Sequence, residues 1–149
     1  MKNEVNFVII KDRKEYDLNG WEVVFFDVKS NKSPEFGCKI TFPDNSSLAF
    51  LGDEPLRDHY LDVVQKSDIL LHESFCLDKD EERFKAHEKN HSTVKEAVEN
   101  ASRIGAKTLL LFHMEDRTTN TRKVKYTKEA QRYFKGKIFV PTDGDVFKF

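Results

Sequence analysis

The sequence predicts an α/β or α+β fold in which a largely antiparallel meander is followed by a β-α-β unit. Short apolar runs separated by turn residues fill the segment before Asp53, and strand-like and helix-like patterns alternate after it. The chain has 149 residues, and we find no internal repeat and no linker rich in Pro, Gly or Ser. We therefore expect one domain over residues 1–149.

Four apolar runs predict the strands of the meander, at residues 5–10, 21–28, 38–42 and 47–51. Turn-forming residues separate these runs, at Asn19-Gly20, at residues 30–37 and at Pro43-Asp44-Asn45. Because the connections are short, consecutive strands are expected to pair as antiparallel neighbours.

The pattern becomes helical after Asp53. A first helix is predicted from apolar residues at helical spacing, which are Leu56, Tyr60, Leu61 and Val64. Residues 68–71 then form a short run typical of a buried strand.

A second helix is predicted from a stripe formed by Val94, Ala97, Val98, Ala101 and Ile104. Thr93 and Glu96 form a capping-box pattern at its start, and Gly105 is placed to end it. A buried strand follows at residues 108–112, so this strand-helix-strand order predicts a crossover with parallel pairing. A last helix at residues 127–133 and a closing strand at 137–140 complete the prediction.

Composition excludes several classes of protein. With 25 Lys and Arg against 26 Asp and Glu, the net charge is −1, so any polyanion binding requires a local basic patch. No apolar stretch approaches the roughly 20 residues that cross a bilayer, and residues 1–6 lack the pattern of a secretion signal. The two cysteines, Cys38 and Cys76, form neither a C-x-x-C motif nor a disulfide framework. These features favour a cytoplasmic protein and argue against redox chemistry.

Three predicted strands end in residues that can hold a metal or a proton. Asp53 follows the fourth strand, His72-Glu73 follows the run at 68–71, and His113 follows the run at 108–112. His91 directly precedes the capped helix. Since the carboxyl ends of parallel strands line one crevice, we expect Asp53, Glu73, His91 and His113 to share a pocket. Carboxylate oxygen and imidazole nitrogen suit zinc or manganese.

Each of these residues also has a structural explanation when taken alone. An Asp after Gly is commonly a turn former, and a His after an apolar strand is commonly a packed edge residue. Only the joint placement favours a site. We assign structural roles to His59, on the polar side of the first helix, and to His72, which alternates to the opposite face from Glu73.

A competing motif includes His91. Residues 87–91 read H-E-K-N-H and match H-E-x-x-H, in which two histidines of one helix bind zinc and the Glu activates water. The motif requires a continuous helix, because only a helix brings positions i and i+4 to one face. The preceding charged segment, with Phe84 and Ala86 as its apolar residues, gives that helix little support.

A basic cluster follows His113. Its members are Arg117, Arg122, Lys123, Lys125, Lys128, Arg132, Lys135 and Lys137. Most such clusters are solvated surfaces, but cations beside the expected pocket would suit a phosphodiester substrate.

Together, four segments resemble the later motifs of the metallo-β-lactamase fold hydrolases, in particular the ribonuclease Z-like branch. They are Gly52-Asp53, Leu71-His72-Glu73-Ser74-Phe75, Asn90-His91-Ser92-Thr93 and Leu111-Phe112-His113. The resemblance implies a two-metal site, with Asp53 bridging the ions and His113 binding one of them. It also implies that His91 stabilises or protonates the leaving oxygen of the scissile phosphate, and that Glu73 orients His91.

The sequence departs from this family in two ways. It contains no H-x-H-x-D-H run, which supplies most metal ligands in the family, so the resemblance implies only the carboxyl-terminal half of an αββα sandwich. On this interpretation, Met1 falls where a longer chain would be half complete. In addition, Met114-Glu115-Asp116-Arg117 replaces the Phe-Ser-x-Arg-Tyr of tRNA-processing members.

Three functional hypotheses follow. The first is a metal-dependent phosphodiester hydrolase, acting on RNA or a small phosphodiester, that is weak until an amino-terminal half or a second copy completes it. The second is a non-catalytic half that acts as an interaction module, and either of these predicts association through an exposed apolar face. The third is a zinc peptidase that uses His87, Glu88 and His91.

Overall fold

The computed structural model describes residues 7–149, which form one seven-stranded mixed sheet with the strand order β1-β2-β3-β4-β5-β6-β7. The strands are β1 (Glu15–Leu18), β2 (Trp21–Asp27), β3 (Phe36–Thr41), β4 (Ser47–Phe50), β5 (Ile69–Glu73), β6 (Thr108–Phe112) and β7 (Lys137–Phe139). Neighbours in the sheet are therefore also neighbours in the chain.

The sheet changes from antiparallel to parallel at β4. The pairs from β1 to β4 are antiparallel, and the pairs from β4 to β7 are parallel. The predicted meander and the predicted β-α-β crossover are both confirmed.

Four α-helices in the described part of the chain accompany the sheet: α1 (Leu61–Val64), α2 (Glu81–Phe84), α3 (Val94–Ile104) and α4 (Thr119–Ala130). The capping box at the start of α3 is present, because the Thr93 side chain accepts from the Glu96 N–H and the Glu96 carboxylate accepts from the Thr93 N–H. Gly105 ends α3 in the left-handed conformation, with φ 83°. Both ends of this helix were predicted correctly.

The strand predicted at residues 5–10 is wrong for the part that the structure describes. Residues 7–10 form no strand, while residues 5 and 6 lie outside the described residues. The first strand is instead β1, which pairs with β2 across the Asn19-Gly20 turn. Both turn residues have positive φ, as a two-residue hairpin requires, so the turn selects the segment directly before it rather than the more apolar run upstream.

The two flanking helices also differ from their predictions. The first is only one turn long, from Leu61 to Val64, and follows a 3₁₀ turn at Asp58–Tyr60. The last begins at Thr119, well before the predicted residue 127, and ends at Ala130. Its first two turns are polar and solvent-facing, so they carry no apolar periodicity that could indicate a helix.

The two faces of the sheet have different surroundings. One face packs beneath the helices, where Ala49, Leu70, Leu109 and Leu111 are fully buried, and every buried side chain of α3 and α4 belongs to the same core. The opposite face, which we call the open face, includes the buried Val23 and Ile69 but carries mainly apolar residues that are only half-buried. By the strand register they include Phe25, Ile40, Leu48, Phe50, Leu71, Leu110, Phe112 and Phe139.

None of the helices within residues 7–149 combines the length and apolar character that crossing a bilayer would require.

Candidate metal centre

The four residues predicted to share a pocket meet at the carboxyl edge of the parallel strands. Asp53 lies three residues beyond the end of β4, Glu73 is the last residue of β5, and His113 directly follows β6. His91 lies in the loop that leads into α3. The strand order places β4, β5 and β6 side by side, so their ends come together as predicted.

The loop that carries Asp53 requires glycine at residue 52. Gly52 has φ 71°, and a Cβ there would lie 2.5 Å from Glu35 Oε1. This carboxylate oxygen of Glu35 accepts the backbone N–H of Asp53. The β2–β3 hairpin that contains Glu35 therefore holds the Asp53 loop in place.

Asp53 and His113 are in direct contact. Asp53 Oδ1 touches His113 Nδ1, and both side chains are partly exposed. His113 has φ 48°, an uncommon value for a residue other than Gly, which turns its side chain away from the course of β6.

The imidazole of His91 is packed between two rings. It stacks on Phe75 with a centroid distance of 5.0 Å and lies 4.7 Å from the centroid of His113. The side chain is only 6% exposed, and burial lowers the pKa of His91, as does the positive charge of Lys32. These contacts favour a neutral imidazole, the form that binds a metal.

Glu73 lies behind His91 and is fully buried. Its Oε1 accepts the Ser92 N–H at 2.5 Å, and its Oε2 lies 3.7 Å from His91 Nδ1. Burial raises the pKa of Glu73 to about 7, partly offset by the Ser92 N–H.

The donor set fits a metal ion. One ligand atom from each of Asp53, His91 and His113 can be chosen so that all three lie within 4.8 Å of one another. Asp53 Oδ1 and His91 Nδ1 are buried and make no hydrogen bond to any described residue. Since buried polar atoms are normally satisfied, an ion between Asp53 and His113 would account for Asp53 Oδ1, while His91 Nδ1 faces Glu73 Oε2 at 3.7 Å.

Burial and nearby charged side chains shift the pKa values of Glu35 and His113. Burial raises the pKa of Glu35, and the nearby Glu54 raises it further. Burial lowers the pKa of His113, and the charge of Lys32 lowers it further. Lys32, in the β2–β3 hairpin loop, is thus close enough to influence both histidines.

The structure contradicts the H-E-x-x-H interpretation. Residues 86–90 form consecutive turns, and both Lys85 and Asn90 have positive φ, so no helix joins His87 to His91. His87 is 56% exposed and its ring bonds the carboxylate of Glu96 instead. The two histidines therefore cannot act as an i, i+4 metal pair.

The other two histidines make contacts suited to structural roles. His59 Nε2 lies 2.8 Å from the Asp27 carbonyl oxygen at the surface. His72 is fully buried, with Nδ1 2.6 Å from the Glu73 carbonyl oxygen and Nε2 3.0 Å from the Asn100 amide nitrogen.

Six residues around the centre were not predicted from the sequence to contribute to it. They are Lys32, Glu35, Glu54, Arg57, Asn90 and Arg122. Arg122 lines a cavity of about 340 Å³ together with His113, Asp116 and Asp143. Membership of the basic cluster was the only sequence signal for Arg122. Asn90 belongs to the Asn90-His91-Ser92-Thr93 segment but had no role of its own there, and the other four carry no motif.

A larger groove, of about 790 Å³, lies at the opposite edge of the sheet, between Phe42, Ile69, Thr108 and Phe149. Its Lys107 is paired with Asp68 at 2.6 Å. The groove contains no His or Cys, so its size does not make it the more reactive site.

A sequence model of the β-lactamase superfamily domain matches residues 1–114, which is more than half of the chain. The chain therefore belongs to this superfamily, as the motifs predicted. It is 29% identical to a ribonuclease Z of Sulfolobus acidocaldarius over 135 residues, 86% of this chain and 44% of the relative. It is 36% identical to a ribonuclease Z of Lactiplantibacillus plantarum over 88 residues, 59% of this chain and 28% of the relative.

Solved structures confirm the predicted fold. A metallo-β-lactamase fold protein, YhfI of Bacillus subtilis, matches with a TM-score of 0.77 at 19% identity, covering 99% of this chain and 58% of that one. The short form of human tRNase Z matches with a TM-score of 0.66 at 23% identity, covering 89% and 45%. The chain thus spans less than half of the two ribonuclease Z relatives and about half of these two structures.

Proposed function

We propose that this chain is the carboxyl-terminal half of a zinc-dependent hydrolase that cleaves phosphodiesters, with RNA as the substrate class. The observation that carries the proposal is the convergence of Asp53, His91 and His113, with Glu73 behind them, at one rim of the sheet. The similarity to ribonuclease Z proteins supports the choice of substrate. Zinc suits the mixed oxygen and nitrogen donors, and manganese is the second candidate.

The roles of the residues follow from their contacts. Asp53 and His113 would hold metal, and His91 lies within reach of the same ion. Bound metal ions would activate water and polarise the phosphoryl oxygens. Glu73 lies beside His91 Nδ1, which leaves Nε2 of that ring to hold or donate a proton at the leaving oxygen of the substrate.

Three donors from this chain are too few for a two-metal centre, since even one catalytic zinc usually takes about three protein ligands. Glu73 lies on the open face by the register of β5, so the centre borders the uncovered side of the sheet. We therefore propose that the remaining ligands come from the polypeptide that covers the open face, either an amino-terminal half or a second copy.

One cation beside the centre, Arg122, supports a phosphodiester substrate. Arg122 shares a cavity with His113, and its Nε is buried without a hydrogen-bond acceptor among residues 7–149. A phosphate oxygen would supply that acceptor. The carboxylates of Asp116 and Asp143 line the same cavity, so within it only Arg122 would attract a phosphate.

A fusion protein tests the proposal. The amino-terminal half of the Sulfolobus relative is joined ahead of residue 1, and zinc content and hydrolysis of bis(4-nitrophenyl) phosphate are compared with those of the 149-residue chain. We expect the fusion to bind two zinc ions and to raise kcat/KM by at least about 100-fold, the scale of a completed acid–base and metal site. The control is the same fusion with Asp53→Ala, which should lose both gains while keeping its melting temperature.

Two results would contradict the proposal. Robust turnover with tightly bound zinc in the 149-residue chain would show that the ligand set is larger than the one identified. A folded fusion that binds zinc but cleaves no phosphodiester would favour the interaction module, which the open face also supports.

A further inference from the structure

We propose that Glu54, Arg57 and Asn90 form a polar clamp that positions His91 against Asp53. The proposal rests on the metal centre described above. It assigns the three residues as positioning residues, because each acts through a neighbouring ligand rather than on substrate.

The first part of the clamp is a buried ion pair. The Glu54 side chain is 1% exposed, and its Oε2 lies 3.0 Å from Arg57 Nη2. Glu54 directly follows Asp53, so fixing its carboxylate also fixes the backbone that carries the metal-binding carboxylate.

The second part is the side chain of Asn90, which bonds both members of the pair. Its Nδ2 donates to Glu54 Oε2, and its Oδ1 accepts from Arg57 Nη2 at 3.2 Å. Asn90 directly precedes His91. The clamp therefore links the residue after one candidate ligand to the residue before another, across 36 positions of sequence.

The backbone at Asn90 fits this function. Its φ is 63°, in the left-handed region, which Asn adopts more readily than most residues. The chain turns sharply here, and the His91 N–H donates to the Ala86 carbonyl oxygen at 2.9 Å. The position thus needs both an unusual backbone conformation and an amide side chain.

The energetics favour a positioning role over simple stabilisation. A buried ion pair contributes little net stability unless all of its polar atoms are satisfied. Here Glu54 Oε1 and Arg57 Nε are buried without partners among residues 7–149. Proteins commonly use such costly contacts to orient metal ligands. Loss of an orienting group typically weakens metal affinity 10–100-fold.

The test separates the amide of Asn90 from its backbone conformation. Asn90→Gly keeps the left-handed conformation and removes the amide. The matched control is Asn45→Gly, because Asn45 has φ 65° in the exposed turn before β4 and its side chain bonds no described residue. Zinc affinity of each 149-residue variant is measured by competition with a chromophoric chelator, and melting temperatures are recorded in parallel.

We expect Asn90→Gly to bind zinc about 10–100-fold more weakly, and Asn45→Gly to match the wild type within about twofold. The cobalt(II)-substituted proteins provide a second readout, since the visible spectrum of bound cobalt reports ligand geometry and should change only in Asn90→Gly. Glu54→Gln should reproduce the loss, and combining it with Asn90→Gly should weaken binding little further.

Wild-type zinc affinity and an unchanged cobalt spectrum in Asn90→Gly would overturn the clamp alone. Failure of the wild-type chain and of its fusion to bind zinc would remove the metal centre, and with it both proposals.

Discussion

Leu70 and Leu71 are adjacent leucines of β5, yet they lie on opposite faces of the sheet. Leu70 is fully buried beneath the helices, while Leu71 is half-buried on the open face. Leu109 and Leu110 repeat this contrast on β6. The two faces are similarly apolar, so their difference comes from what covers them and not from their composition.

The two faces differ in how fully the described residues cover them. The helix-covered face has its core and its hydrogen-bonded polar residues, including His72. The open face has apolar side chains that stay half-buried, although Phe147 and Phe149 pack against Phe139, and the candidate metal centre lies at its edge. Stability should therefore depend mainly on the first face, and association and function mainly on the second.

Matched truncations of the two leucines should have the largest effect. Leu70→Ala leaves a cavity in a closed core and should lower the free energy of unfolding by about 2–5 kcal/mol. Leu71→Ala should cost about 1 kcal/mol or less, because that side chain keeps much of its contact with solvent. Urea denaturation of both variants at low protein concentration measures the difference, and equal losses would show that the open face is covered.

Acid should destabilise the helix-covered face through His72. Burial lowers the pKa of His72 from 6.5 to about 4, so its folded pKa lies below its unfolded value. Its neutral form therefore contributes fully above pH 6.5, and the contribution is lost as pH falls from 6.5 towards 4, by about 3 kcal/mol at most.

The His72 prediction is checked by unfolding wild type and His72→Gln between pH 4 and 8. The variant should be less stable at pH 7 but should lose less stability on acidification. His59→Gln removes an exposed imidazole and is the control for the substitution itself. Parallel pH curves for wild type and His72→Gln would refute the assignment.

The smallest expected effect is that of a charged substitution on the open face, which should change self-association. Leu110 pairs with Leu71 on one side and Phe139 on the other, at the centre of this face. Leu110→Asp should weaken self-association at least about tenfold, since it places a charge inside an apolar contact, while the monomer melts near the wild-type temperature. Sedimentation across a concentration series measures this, and a wild-type chain that stays monomeric throughout would contradict it.

The fold could be predicted from the sequence wherever hydrophobic periodicity agreed with the positions of turn and helix-capping residues. The α3 helix was delimited by Thr93, Glu96 and Gly105, and its two flanking strands were continuous apolar runs. β1 was missed because it is only four residues long, too short for its alternation of Tyr16 and Leu18 with acidic residues to stand out, and the turn beside it defines it.

The candidate site was predictable in part for a similar reason. Asp53, Glu73 and His113 mark strand ends, and the parallel topology brings strand ends together. The contacts of Glu54 with Asn90 depend on a left-handed residue and a loop-to-loop approach, neither of which leaves a periodic signal. These contacts are therefore visible only in the three-dimensional structure.

The sequential order of the seven strands has a consequence for biosynthesis. Every strand after the first pairs with one that left the ribosome before it, so the sheet can grow by adding one strand at a time to an existing edge. Within residues 7–149, no strand must wait for a distant segment to be translated. Assembly during synthesis can therefore reach β6, and with it the last candidate metal ligand, before the final helix has emerged.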